Sequence, residues 1–169
     1  MPEEKLDTAP RIIDMPPERM AVLEGRGMPA KVISELVPVL YKAAYALESE
    51  LKKQGSVYHP GALRARYPEI SQDPSDWRVI LGTPVPREIE SLDEVAPETS
   101  LRLEDWQYGK VAEILHLGDY DAVEPTMSTL EKFVTESGYE ISGPYEEEYL
   151  SGPEEEVPKT IIRFEVRKK

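Results

Sequence analysis

The sequence predicts an α+β fold. It reads as two copies of a strand–helix–strand–strand unit, with two long helices on one side of an antiparallel sheet. Three observations carry this. From Lys110 to Arg167 the hydrophobic pattern passes from a continuous run to helical spacing and then to strict alternation. The first half of the chain repeats the order apolar strand, glycine, helix, alternating strand. The two apolar strands start about 90 residues apart, as a duplicated unit requires. When Met20–Gly27 is laid over Val111–Gly118, only Ala21/Ala112 and Gly27/Gly118 agree by letter. The order of elements, not residue identity, therefore argues for duplication.

Taken in order, residues 1–10 are polar and acidic and read as a flexible tail. The domain proper is expected over 11–169, with one repeat at about 11–90 and the other at about 98–169. Ile12 and Ile13 mark a short extended piece, and Met15-Pro16-Pro17 turns the chain. Met20 to Glu24 is an apolar strand ended by Gly25-Arg26-Gly27. A helix is expected over Ala30–Gln54, with Val32, Leu36, Leu40, Ala43, Leu47 and Leu51 as its buried stripe. Pro38 interrupts that stripe, so it either kinks the helix or lies in the first turn of one that begins there. Gly55 is the natural stop. From Ser56 to Asp76 the chain is rich in Pro, Gly and Asp and reads as a long irregular loop. Trp77, Val79 and Leu81 then alternate with Arg78, Ile80 and Gly82, a strand that Thr83-Pro84 ends. Glu88 to Pro97 is compatible with a short helix, and Leu101 to Trp106 with another strand.

The second half is more legible. Val111 to Leu117 is a strand by length and β-branched content. Gly118 ends it, and Asp119, Asp121 and Pro125 supply helix-start chemistry. Val123, Met127, Leu130, Phe133 and Val134 recur at helical spacing over Val123–Ser137, with Gly138 beyond. After Gly143-Pro144, alternation points Tyr145, Glu147 and Tyr149 to one face and Glu146, Glu148 and Leu150 to the other. A Ser-Gly-Pro turn leads to a last strand in which Thr160, Ile162, Phe164 and Val166 share a face.

Composition removes whole classes of function. With 169 residues and 40% hydrophobic content the chain can bury a core and is not disordered. No apolar run approaches the roughly 18 residues of a membrane span, and the acidic N-terminus is unlike a secretory signal. Cysteine is absent, which excludes disulfides, thiol nucleophiles and cysteine metal sites. These features lead to an expectation of a cytoplasmic protein with no membrane association. The 33 acids against 20 bases give a formal charge of −13, with no basic cluster beyond the last three residues. Direct nucleic-acid binding is not expected, because phosphate recognition needs a basic face. The acidity keeps the protein soluble and is also suited to cationic ligands. No helix-turn-helix segment fits the first residues, so any role in transcription is expected to run through another chain.

Glu147 is the first candidate site residue. Its alternation sets an acid in a row of rings, between Tyr145 and Tyr149. Rings and a counter-charge together are how proteins hold organic cations. The same pattern fits the exposed face of an edge strand, since Glu146 to Glu148 is simply an acid run. Tyr41 and Tyr45 lie four apart on one flank of the first helix, where they either line a cleft or cover the helix–sheet seam. Trp106, Tyr108, Trp77 and Tyr67 are further candidates for pocket walls, with burial in the core as the plainer role. His116 and His59 are far apart and lack metal-ligand spacing, so neither a metal nor a cofactor is expected. No phosphate cradle or nucleophile elbow occurs, and Gly25-Arg26-Gly27 lacks the rest of a dinucleotide fingerprint.

The segments HLGDY, ESGYEISG, YEEEYL and TIIRFEV, in that order and spacing, resemble the motifs of the GyrI-like small-molecule-binding family. That family includes effector-binding domains of AraC-type and MerR-type regulators as well as free-standing proteins. RMAVLEGRG and LYKAAYAL resemble the first half of the free-standing branch, so the resemblance covers roughly Thr8 to Lys169. It implies two halves paired about a pseudo-two-fold axis, with a ligand cleft between them. It also implies that Glu147 is the family's central glutamate, and that Tyr41 and Tyr45 match aromatic positions, Tyr45 being the favoured cleft residue. Glu148 departs from the pattern, standing where an apolar residue is more usual.

Three functions follow from this resemblance. The first is capture of lipophilic, cationic or aromatic small molecules by an aromatic cleft with a buried glutamate, as a sensor or sequestering protein. The second is hydrolysis of strained electrophiles such as cyclopropane-containing genotoxins, with Glu147 as general base and Tyr45 as proton or hydrogen-bond donor. That branch tends to carry adjacent tryptophans after the first helix, and the Tyr58–Tyr67 segment has none, so binding ranks ahead of hydrolysis. The third is inhibition by docking onto a larger protein, for which no residue here names a partner.

Overall fold

The computed structural model describes residues 8–68, 73–92, 101–119, 122–151 and 156–169. Two compact units emerge, one of Pro16–Gln107 and one of Tyr108–Lys169 together with the segment ending at Met15. Both are α+β, each an antiparallel four-stranded arrangement with one helix packed against it.

In the Tyr108–Lys169 unit, the apolar run becomes strand β6 (Gly109–Leu117) and is followed by helix α2 (Val123–Glu136). Strands β7 (Tyr139–Tyr149) and β8 (Lys159–Lys168) then form a hairpin. Strand β1 (Arg11–Met15) adds to the outer side of β6, giving the order β1-β6-β8-β7. Leu130 and Val134 are the buried stripe of α2.

In the Pro16–Gln107 unit, β2 (Glu18–Gly27) leads into α1 (Pro29–Lys53). Strands β3 (Leu63–Tyr67), β4 (Trp77–Pro84) and β5 (Arg102–Trp106) complete the order β3-β4-β2-β5. The helix runs unbroken through Pro38 and starts with Pro29 in its first turn, so the reading of Pro38 as a helix start does not hold. A proline removes one N–H, and the burial of Val32, Leu40, Ala43, Ala44, Leu47 and Leu51 outweighs that loss. Leu36 is only half-buried.

Two departures from the sequence reading have physical causes. The stretch read as an irregular loop contains β3. Leu63, Ala65 and Tyr67 alternate inward there, but Arg64 and Arg66 hide the apolar signal. Arg64 is itself buried and ion-paired to Glu18. The compact units also differ from the consecutive boundaries 11–90 and 98–169 by one strand exchanged each way. Strand β1 precedes β2 in the chain yet pairs with β6, and β5 precedes β6 yet pairs with β2. Strand partners are set by shared backbone bonds and side-chain cover, which adjacency in sequence does not dictate. Residues 93–97 of the expected short helix, residues 1–7 of the tail and most of the Ser-Gly-Pro turn lie outside the described residues. No helix among the described residues is long and apolar enough to cross a membrane.

Candidate functional site

Register determines what each face of the Tyr108–Lys169 unit presents. Opposed residues in antiparallel strands share a face, and residues two apart return to it. Three rows follow on one face: Ala112–Phe164–Tyr145, Ile114–Ile162–Glu147 and His116–Thr160–Tyr149. This is the face toward α2, because His116 Nδ1 lies 2.7 Å from Thr126 Oγ1 on that helix. The His116 Nε2–H donates to the Asp119 carbonyl at 2.8 Å, since a carbonyl only accepts. His116 thus ties the end of β6 to the first turn of α2.

Glu147 is buried at the centre of this face, only 8% exposed. Tyr145 donates its hydroxyl to Oε2 at 2.7 Å, and Tyr149 donates to Oε1 at 2.8 Å. The two tyrosines flank the acid because alternation places residues i−2 and i+2 on its face. Around them the floor is apolar, with Ile114, Ile162 and Phe164. The Phe164 ring centroid lies 5.3 Å from that of Tyr145. Thr160 is fully buried beside this group, and its Oγ1 has no hydrogen-bond partner among the described residues.

The reverse face of the same strands is ionic. Arg11, Glu113, Arg163 and Glu146 form one row across β1, β6, β8 and β7. Arg163 donates through Nε and Nη2 to Glu113 Oε2 at 3.1 and 2.9 Å, and through Nη1 to Glu146 Oε2 at 2.7 Å and Glu148 Oε1 at 3.0 Å. Burial alone would lower the Arg163 pKa, but Glu146, Glu148 and Glu113 outweigh it and raise it, so the guanidinium keeps its charge. Tyr108 donates to both oxygens of Glu146, at 3.0 and 3.1 Å. Glu148, which stands where an apolar residue is more usual, is held on this reverse face by Arg163.

The structure therefore brings together Tyr145, Glu147 and Tyr149, while Tyr108 serves the opposite face through Glu146. The remaining candidates belong to the Pro16–Gln107 unit. Tyr41 and Tyr45 stack on α1 with centroids 5.9 Å apart, and the Tyr45 ring is largely exposed. Burial, with a smaller contribution from Tyr45, raises the Tyr41 pKa above the ordinary phenol value. Trp77 packs against Tyr67, centroids 5.7 Å apart. Trp106 is buried, with the Arg66 guanidinium 4.0 Å above its ring. His59 pairs with Glu48 at 2.8 Å on the surface. No group of three or more His, Cys, Asp or Glu suited to a metal ion occurs among the described residues.

Sequence reasoning missed the Arg163 row. Its signal is present in retrospect: Glu113 and Arg163 each interrupt an apolar run, VAEIL and IIRF, and charges so placed are buried only when paired.

The α+β fold thus carries a buried acid braced by two phenols on an apolar sheet face. The chain belongs to the GyrI-like small molecule binding domain family, whose pattern it matches over residues 8–167. No curated protein sequence matches it significantly. Among solved structures, an uncharacterized conserved protein from Listeria innocua is similar at 21% identity, with a TM-score of 0.84 over 95% of this chain and 93% of that one. A Listeria innocua protein described as a hydrolase is also 21% identical, with a TM-score of 0.81 over 97% and 94%. The C-terminal domain of EcmrR has a TM-score of 0.73 at 14% identity, over 95% of this chain and 98% of that one. At these identities the likeness is one of fold.

Proposed function

We propose that this protein binds lipophilic aromatic cations at the Glu147 face of β7, as a sensor or sequestering protein acting on the small molecule itself. One observation carries this reading: each oxygen of the buried Glu147 carboxylate receives a phenolic hydroxyl, from Tyr145 or Tyr149. The two hydroxyls supply hydrogen bonds to the carboxylate without neutralising it. A quaternary or delocalised cation, which brings no N–H donors, therefore leaves neither oxygen without a donor. Ring faces and the Ile114, Ile162 and Phe164 floor supply apolar area and cation–π attraction for the rest of such a ligand.

The test compares 10-methylacridinium with neutral acridine at mildly alkaline pH, by fluorescence titration. Glu147→Gln is expected to weaken the cation about tenfold, roughly 1.4 kcal/mol, and the neutral isostere less than twofold. Equal losses for both would show that the carboxylate is not the counter-charge.

A second reading keeps the same residues. Glu147 could act as general base on a water that attacks a strained electrophile, the proton then passing to the atom released as the ring opens. Two structures of similar fold are described as hydrolases. Incubation with a cyclopropane-bearing electrophile, followed by mass spectrometry, decides this. Many turnovers per protein, lost in Glu147→Gln, would put the hydrolase first.

A further inference from the structure

Glu147 is the middle of three consecutive glutamates, Glu146, Glu147 and Glu148. Residue type therefore does not say which of them belongs on the α2 side, and in a strand a shift of one residue moves every side chain to the opposite face. The risk is local, because β7 is irregular immediately before this run. Between Ile141, opposite Val166, and Tyr145, opposite Phe164, three β7 residues face Glu165 alone. Such slack can move along a strand unless something fixes it.

Among the described residues, contacts at two places bear on the phase. At the slack itself, a Cβ on Gly143 would meet Glu165 Cβ at 2.7 Å and its carboxylate at 2.6 Å, so this close approach admits only glycine. Beyond the slack, a single nitrogen, Arg163 Nη1, bridges Glu146 and Glu148 at 2.7 and 3.0 Å. These are the two residues that must face away if Glu147 is to face α2. The guanidinium is anchored in turn by Glu113, whose other oxygen takes two bonds from Arg11 at 3.0 and 2.6 Å. Tyr108 holds Glu146 from a further direction.

We infer that Arg163 is the positioning residue that selects Glu147, from three adjacent acids, as the one presented at the ligand site. It never touches the ligand; it acts by holding Glu146 and Glu148 on the reverse face. This role rests on the reading of Glu147 as the counter-charge.

The experiment is a double-mutant comparison with 10-methylacridinium on the full chain. In the otherwise native protein, Glu147→Gln should lower affinity about tenfold. In an Arg163→Met background the phase is released, Glu146 or Glu148 can substitute, and the same Glu147→Gln change should lower affinity less than threefold. A purely structural arginine would shift overall affinity but leave the Glu147→Gln ratio intact. Where Arg163→Met does not fold, Arg163→Lys carries the comparison, since it keeps the charge but not the fork that reaches several carboxylates. There the ratio should still shrink at least twofold. An undiminished ratio in whichever background folds overturns the inference and leaves the Glu147 reading standing. No effect of Glu147→Gln in the native background overturns both.

Discussion

Trp106 lies close against Gly82: a Cβ on that glycine would stand 2.9 Å from Cη2 and 3.0 Å from Cζ2 of the indole. The strand β4 must lack a side chain there for the buried indole to seat under Arg66. Gly82→Ala should therefore destabilise the protein by about 1–3 kcal/mol through overpacking. Urea denaturation measures this, and the emission maximum of Trp106 should shift to the red in the folded variant. An unchanged midpoint would mean that the indole yields at no cost.

The Tyr145–Glu147–Tyr149 group makes a prediction about selectivity. Tyr149→Phe removes one donor from a buried carboxylate, and a cation carrying N–H groups can replace that donor where a quaternary one cannot. Stability should fall by about 1–3 kcal/mol. Calorimetric titration should show primary ammonium analogues gaining on quaternary ones relative to the native protein. Parallel losses for both would count against a carboxylate satisfied by phenols.

Acid titration of stability should reveal Glu24. Hydrogen bonds from Arg78 at 2.9 Å hold its pKa at about 2, against desolvation that would raise it, and Arg102 adds to the lowering at 3.0 Å. A folded pKa below the usual 4.5 means that the contribution is complete above 4.5 and is lost as pH falls through about 2. Glu24→Gln should therefore cost stability at neutral pH, and the difference from the native protein should shrink as pH falls from 4.5 toward 2. Denaturation midpoints of the pair at a series of pH values test this. A gap that widens toward acid would refute it.

The bond between His116 and Thr126 predicts a local effect. Helix α2 has no side-chain cap at its N-terminus and buries only Leu130 and Val134, so its first turn leans on this contact. Thr126→Val should cost about 1 kcal/mol and speed amide exchange in the first turn of α2 more than in α1. Uniform acceleration across both helices would point to a global effect instead.

Much of the fold was legible because it rests on local periodicity. The helical stripes of α1 and α2 and the alternation of β4, β7 and β8 are dictated by which neighbours a repeating backbone brings to one side. The same rule placed Tyr145, Glu147 and Tyr149 together, since all three belong to one strand. Strand β3 was less legible because two of its five residues are arginines, and their burial depends on partners elsewhere in the chain.

What the sequence by itself determined was the α+β class, the element order and the shared face of an acid and two phenols. Each of these depends on residues only a few positions apart. The tertiary structure alone decided that β1 joins β6 and β5 joins β2, that Tyr108 serves Glu146, and that Arg163 gathers Glu113, Glu146 and Glu148 behind the site. These pairings link residues 15 to 102 positions apart. A buried charge accepts whichever partner packing brings within reach. No periodic pattern in the chain encodes that meeting.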